Sequence, residues 1–196
     1  MLKSLLKPLF ALCIVWPVMR LWLGLRIHQH QNLPKQGPAI LVANHNSHMD
    51  VFALMSLYSP MQQRQIHPAA AADYFLSNKW MAWFALNVLN IIPVTRQNNG
   101  QGNPLQGCEE ALRKNKILIL FPEGSRGEPG KMQPLKSGLW HLSATMLTYQ
   151  LFRCGCKALN RLWQKEIAFP CRCLLMSISV NRCISSLTKN NLKQSY

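Results

Sequence analysis

The chain is poor in acidic residues: 7 Asp and Glu stand against 22 Lys and Arg in 196 residues, giving a net charge of +15 and a pI near 10.0. That balance favours anionic partners, namely nucleic acid, anionic lipid headgroups or phosphorylated substrates. The known nucleic-acid motifs are missing and the aromatics do not interleave with basic residues, so nucleic acid is set aside and lipid or phosphate remains. Cysteine is scarce where a small core would need it. Of the 7 cysteines only Cys13 and Cys108 precede residue 150, which argues against a disulfide framework and for a reducing compartment. A Gly-x-Ser-x-Gly elbow is also missing, and no cysteine lies in a recognisable nucleophile context. Finally, the longest uncharged run near the N-terminus, Pro8 to Met19, is 12 residues and contains Pro17. A bilayer span needs about 20.

What is present begins with an apolar stretch, Leu2 to Leu25, punctuated by Lys3, Lys7 and Arg20. No small-residue cleavage site follows it, so a signal peptide is disfavoured. Trp16, Trp22, Arg20 and Arg26 suit a headgroup-level anchor, and residues 1–30 are read as a membrane-associated helical segment, with a buried N-terminal helix as the competing reading. His28-Gln29-His30 lacks an accompanying carboxylate or cysteine and reads as a polar linker, not a metal pair.

Ala39 to Ala43 is too short an apolar run for a helix and reads as a buried strand. A helix to about Leu57 follows, stopped by Ser59-Pro60, then a polar loop over Gln62 to Gln65 and a second strand over Ile66 to Ala72. Ser77-Asn78 caps a helix to about Leu89 that is apolar on nearly every face, which means burial or contact with lipid. A third strand spans Asn90 to Thr95. Asn103-Pro104 starts a helix whose Leu105, Cys108 and Leu112 share a face, and Ile117 to Phe121 is a fourth strand. This alternation predicts an α/β fold with a mainly parallel sheet flanked by helices.

The organising motif is Asn44-His45-Asn46-Ser47-His48-Met49-Asp50, directly after the first strand. Five positions along a regular helix is about 140° off the starting face, so His45 and Asp50 meet only if the helix begins between them. Ser47 offers an N-cap with Asp50 three residues on, the signature of a helix start. His45 then lies in the preceding loop, where Asp50 can accept its ring N–H, fix the tautomer and leave the other nitrogen as a base. The alternative is that Asp50 only completes the cap and His45 is an ordinary loop histidine. His48 falls on the helix surface, directed away from His45. A base without its own nucleophile implies direct transfer to a substrate hydroxyl.

A second strand-end motif is Phe121-Pro122-Glu123-Gly124-Ser125-Arg126-Gly127. Proline ends the strand, glycine permits a turn near a ligand, and Glu123 and Arg126 bring opposite charges suited to a hydroxyl and a phosphate. Taken alone it could be a structural ion pair. Together, the paired motifs resemble the glycerophospholipid acyltransferase family, most closely the bacterial 1-acylglycerol-3-phosphate acyltransferases. Asn44-His45 through Asp50 is similar to the family's NH-x4-D motif and Phe121 through Arg126 to its FPEG-[TS]-R motif. Ile92-Pro93-Val94-Thr95-Arg96 resembles the strand carrying a second substrate-binding arginine, and Lys136-Ser137-Gly138 the K-x-G that follows.

The resemblance implies that His45, oriented by Asp50, activates the free hydroxyl of a lysophospholipid, 1-acylglycerol-3-phosphate above all. That hydroxyl attacks an acyl-CoA or acyl-carrier-protein thioester to give phosphatidate. Asn44, Arg96, Glu123, Gly124, Ser125, Arg126 and Lys136 would bind the acceptor. No cofactor and no metal is implied, and the partners are membrane lipid and the two substrates. The implied location is the cytoplasmic face of a bacterial inner membrane. On this reading residues 31–150 form the acyltransferase domain.

The family pattern stops at about Thr145, and residues 151–196 form a divergent tail with 8 Lys or Arg and a single Glu166. Its Cys154/Cys156 and Cys171/Cys173 pairs have a spacing that structural zinc sites do not favour, and no tail histidine accompanies them. Disorder or contact with anionic lipid is expected of it. The functional alternative is a catalytically inactive, membrane-binding remnant of the fold.

Overall fold

The computed structural model describes residues 2–45, 47–75, 77–95, 103–125, 142, 150–158 and 176–183. The short apolar runs become strands: β1 Arg26–His28, β2 Ala39–Ala43, β3 Ile66–Ala71, β4 Ile92–Val94 and β5 Ile117–Leu120. Two more, β6 Gln150–Ala158 and β7 Met176–Cys183, come from the part of the chain where the family pattern fades. The described strands form one sheet in the order β1-β7-β6-β2-β5-β3-β4. β6, β2, β5, β3 and β4 run parallel, β7 is antiparallel to β6, and β1 pairs parallel with β7. The sheet is mainly parallel and flanked by helices, as the alternating pattern predicts.

Period-2 geometry sends successive side chains of the central strands to opposite faces. Ala39, Leu41, Ala43, Ile117 and Ile119 join a core with Ala53, Leu54 and Met55 of helix α2, Met49–Met55. Ile40 and Leu118 face Cys108, Ala111 and Leu112 of helix α5, Gln106–Arg113. Both faces of β2 and β5 are thus covered, which is why each reads as a continuous apolar run. The predicted cap of α4, Lys79–Asn87, is in place, with Asn78 accepting the Trp80 N–H at 2.9 Å; α5 begins two residues later than Asn103-Pro104 predicts, and Asn103 instead accepts the Leu105 N–H at 2.9 Å in the turn ahead of it. Just ahead of α4, following β3, lies the single turn α3, Ala72–Phe75.

Residues read as a polar loop are more ordered than their composition suggests. Pro60–Gln65 forms a 3-10 helix with a Ser59/Gln62 capping box, and the buried Gln63 amide donates to the Met55 and Tyr58 carbonyls at 2.7 and 3.2 Å. The Gln63 side chain thus ties this short helix to the chain leaving the C-terminal end of α2.

The N-terminal helix is α1, Leu2–Phe10, continued by wide turns over Ala11–Val15 and Val18–Trp22. Its Leu5–Trp22 segment is long and apolar enough to cross a membrane by length and composition, and 28% of it is buried. One side docks on the domain through carbonyl oxygens: the fully buried Lys7 ammonium donates to Ile66 and, at 2.7 Å, to Leu89, and the Trp16 indole to Tyr58 at 3.3 Å. The Arg20 guanidinium stacks on Trp16 at 4.0 Å. The charges that interrupt the hydropathy pattern are therefore partly internal tethers.

The register of β2 against β5 is guarded at its start. Gly37 lies so close to the chain ahead of β5 that a Cβ there would sit 2.5 Å from the Asn115 carbonyl oxygen and also overlap that of Lys116. Gly37→Ala should therefore lower unfolding free energy by about 1–3 kcal/mol, the usual cost of overpacking. Gly107→Ala should cost less, because among the described residues its Cβ would meet only the Ile92 side chain, at 2.9 Å. Denaturant midpoints of the two variants in detergent check the difference.

Candidate active site

Because β2 and β5 are parallel neighbours with Val42 opposite Leu120, the segments leaving their C-terminal ends emerge side by side. Ligand sites of open α/β sheets form at this end of the strands. From β2 come Asn44 and His45, then Ser47 to Asp50; from β5 come Phe121 to Ser125.

On the first segment the predicted helix start is present in modified form. The Ser47 hydroxyl accepts the Met49 N–H at 3.2 Å, one residue nearer than in a standard box, while the Asp50 carboxylate accepts the Ser47 N–H at 2.7 Å. The same carboxylate oxygen lies 3.4 Å from His45 Nδ1, with side-chain exposures of 19% for His45 and 3% for Asp50. Asp50 thus serves as cap and as histidine neighbour at once. The His–Asp contact is a close approach and not a hydrogen bond, and among the described residues the buried Nδ1 makes none. Catalytic pairs are commonly this loose before substrate binds.

On the second segment Pro122 holds a turn closed by the Gly124 N–H donating to the Phe121 carbonyl at 3.0 Å. Gly124 then takes a φ of 68°, which a side chain would strain. The turn carries Glu123 inward to 2% exposure, where Oε1 accepts the His45 backbone N–H at 3.3 Å. Its Oε2 is buried and has no hydrogen-bond partner among the described residues. Phe121 stacks on the His45 ring with centroids 4.2 Å apart and planes 26° from parallel.

The structure therefore brings His45, Asp50 and Glu123 into one cluster, with Gly124 shaping the turn, Asn44 half-buried beside it and Ser125 exposed at its end. Arg96, Arg126 and Lys136 lie outside the described residues. His48 is exposed, as expected, and its Nε2 meets the Tyr74 hydroxyl of α3 at 2.9 Å. Sequence reasoning missed the roles of Phe121 as a platform for the histidine and of Glu123 as acceptor for the His45 loop. Both depend on β2 and β5 being neighbours, which no local pattern encodes. Next to Ala43 in the sheet register is Cys154 of β6, and burial pushes its thiol up to about 12, so it supplies no thiolate here. Among the described residues no group of three or more His, Cys, Asp or Glu could hold a metal ion.

A family model described as Acyltransferase matches residues 24–155. The chain is similar to 1-acyl-sn-glycerol-3-phosphate acyltransferase BAT2, chloroplastic, of Brassica napus, 26% identical over 65% of this chain and 38% of that protein. It is also similar to the 1-acyl-sn-glycerol-3-phosphate acyltransferase of Bacillus subtilis (strain 168), 30% identical over 59% of this chain and 54% of the other. It thus spans between about a third and about half the length of these two relatives. In fold it is similar to the crystal structure of the 1-acyl-sn-glycerophosphate (LPA) acyltransferase of Thermotoga maritima, with a TM-score of 0.65, 18% identity, and coverage of 98% of this chain and 72% of that one. That likeness extends over the strands β6 and β7.

The double duty of Asp50 separates by substitution. Asp50→Ala removes the acceptor for the Ser47 N–H and should cost about 1 kcal/mol of stability, as loss of a helix cap does. Asp50→Asn keeps an oxygen there and should cost only a fraction of that. Equal unfolding midpoints for the parent and the alanine variant would contradict the capping role.

Proposed function

This chain belongs to the acyltransferase family, and on that premise we propose that it transfers a fatty acyl group from an acyl thioester to the free hydroxyl of 1-acylglycerol-3-phosphate, giving phosphatidate. The observation that carries the reading is the His45–Asp50 contact at 3.4 Å, bound through the His45 N–H to the buried Glu123 of the neighbouring strand end. It supplies a base and an acceptor-binding carboxylate, with no nucleophile of its own.

In the proposed reaction His45 Nε2 takes the proton of the acceptor hydroxyl while Asp50 steadies the ring at Nδ1. The acceptor oxygen attacks the thioester carbonyl, the C–O bond forms, the C–S bond breaks, and the leaving thiolate takes the proton back from the imidazolium. Glu123 Oε2, buried and without a hydrogen-bond partner among the described residues, is the group that receives a substrate hydroxyl. Asn44, Gly124 and Ser125 line the acceptor's approach, and Arg96, Arg126 and Lys136 neutralise its phosphate. No cofactor takes part; acyl-CoA or acyl-carrier protein is a co-substrate. An apolar N-terminal helix and a net charge of +15 support association with an anionic membrane, and we assign the cytoplasmic face of a bacterial inner membrane, where acyl thioesters are available.

The test is turnover by the purified full chain with acyl-CoA and 1-acylglycerol-3-phosphate, read as free thiol and as phosphatidate by mass spectrometry. Thiol release should need both substrates. His45→Ala should lower kcat/KM by about 10²–10⁴-fold, the contribution of a positioned base, with circular dichroism unchanged. Full turnover by the alanine variant would overturn the assignment, and a folded parent chain that binds vesicles but releases no thiol would favour the inactive membrane-binding alternative.

A further inference from the structure

Helix α4 is apolar on nearly every face, yet the structure does not bury it. Trp80 is 84% exposed, Trp83 51% and Leu86 43%, and their spacing of three residues sets them on one stripe, with Ala85 turned to the core. The helix that carries the stripe touches the N-terminal helix, where Phe10 of α1 meets Phe84 of α4 edge to face, with centroids 5.2 Å apart. On α1 and the turn that continues it, Leu5, Leu9 and Leu12 are exposed, at intervals that share a helix face. Two touching helices from distant parts of the sequence therefore each carry a row of exposed apolar side chains, more than singly scattered exposed residues would give.

We propose that α4 is a second membrane contact: Trp80, Trp83 and Leu86 enter the boundary between headgroups and acyl chains together with the N-terminal helix, and the occupant of this surface is an anionic bilayer. The inference rests on the membrane-associated reading above and extends it from one terminal helix to the domain itself. Three features favour lipid over a second copy of the chain. Paired tryptophans on a short helix suit the headgroup level, where an indole has both an apolar body and a polar N–H to place. The neighbouring helix is the segment apolar enough to cross a membrane. The chain's charge of +15 repels another copy of itself and complements an anionic surface, with Lys79 exposed at the start of α4. The contact also bears on the candidate site, because α3 precedes α4 and its Tyr74 hydroxyl meets His48 at 2.9 Å on the segment that carries His45. Bilayer contact at α4 would hold that segment near the surface from which a lysophospholipid arrives.

The test is flotation of the full chain with phosphatidylcholine vesicles and with mixed phosphatidylcholine–phosphatidylglycerol vesicles, plus quenching of tryptophan fluorescence by brominated lipid. Trp80→Ser/Trp83→Ser should weaken partitioning to the mixed vesicles about tenfold or more and remove part of the quenching, while Trp80→Phe/Trp83→Phe retains most of the binding. Both pairs lie at exposed positions, and circular dichroism and the unfolding midpoint verify the fold. Unchanged partitioning and quenching in the serine variant would overturn the proposal, as would loss of a dimer in lipid-free detergent without any change in vesicle binding. Neither readout needs turnover: a chain without activity that still binds through α4 sinks the proposed reaction alone, and an active chain indifferent to the serine pair sinks this inference alone.

Discussion

The candidate site depends on one pairing, the parallel ladder between β2 and β5. It aligns Ala39 to Val42 with Ile117 to Leu120, so both strands finish at the same level. Everything chemical lies just beyond those ends. A slip of one residue would turn the alternating side chains of either strand to the wrong face and separate the His45 loop from Glu123. The register is held from below by Gly37, packed against the Asn115 and Lys116 carbonyls, and from above by the hydrogen bond from the His45 N–H to Glu123. The buried residues on both faces of the two strands supply the energy; these contacts at the ends choose the alignment.

On this frame the His–Asp pair owes its geometry to an ordinary feature, the start of a helix. Asp50 is fixed because its carboxylate caps Ser47, and the cap leaves the same oxygen beside the ring of His45. Phe121 lies against the ring and confines its plane. A single carboxylate thus provides local stability and electrostatic orientation, a frugal use of acidic residues in a chain that has 7 of them.

Much of this was legible in the sequence because its causes are local. The span of β2, the cap of α4, the buried face of α5 and the meeting of His45 with Asp50 follow from short-range rules of periodicity and capping. What could not be read is what depends on the order of strands: the chain forms β3 and β4 before returning to insert β5 beside β2, and only then do Glu123 and Phe121 reach His45. The buried Lys7 is a similar case, since its carbonyl partners lie 59 and 82 positions away. β7 carried a signal that its setting obscured: Met176, Ile178 and Val180 alternate with Ser177, Ser179 and Asn181, a strand pattern within a tail whose cysteines and basic residues suggested disorder.

The central claim is that the clustered His45, Asp50 and Glu123 serve a substrate hydroxyl directly and that no side chain is acylated on the way. Incubating the purified chain with acyl-CoA alone tests this most directly, with free thiol followed in time and the intact protein mass recorded before and after adding 1-acylglycerol-3-phosphate. The account predicts no thiol burst and no added acyl mass until the acceptor is present. A burst stoichiometric with protein, accompanied by an acyl adduct before acceptor is added, would contradict it.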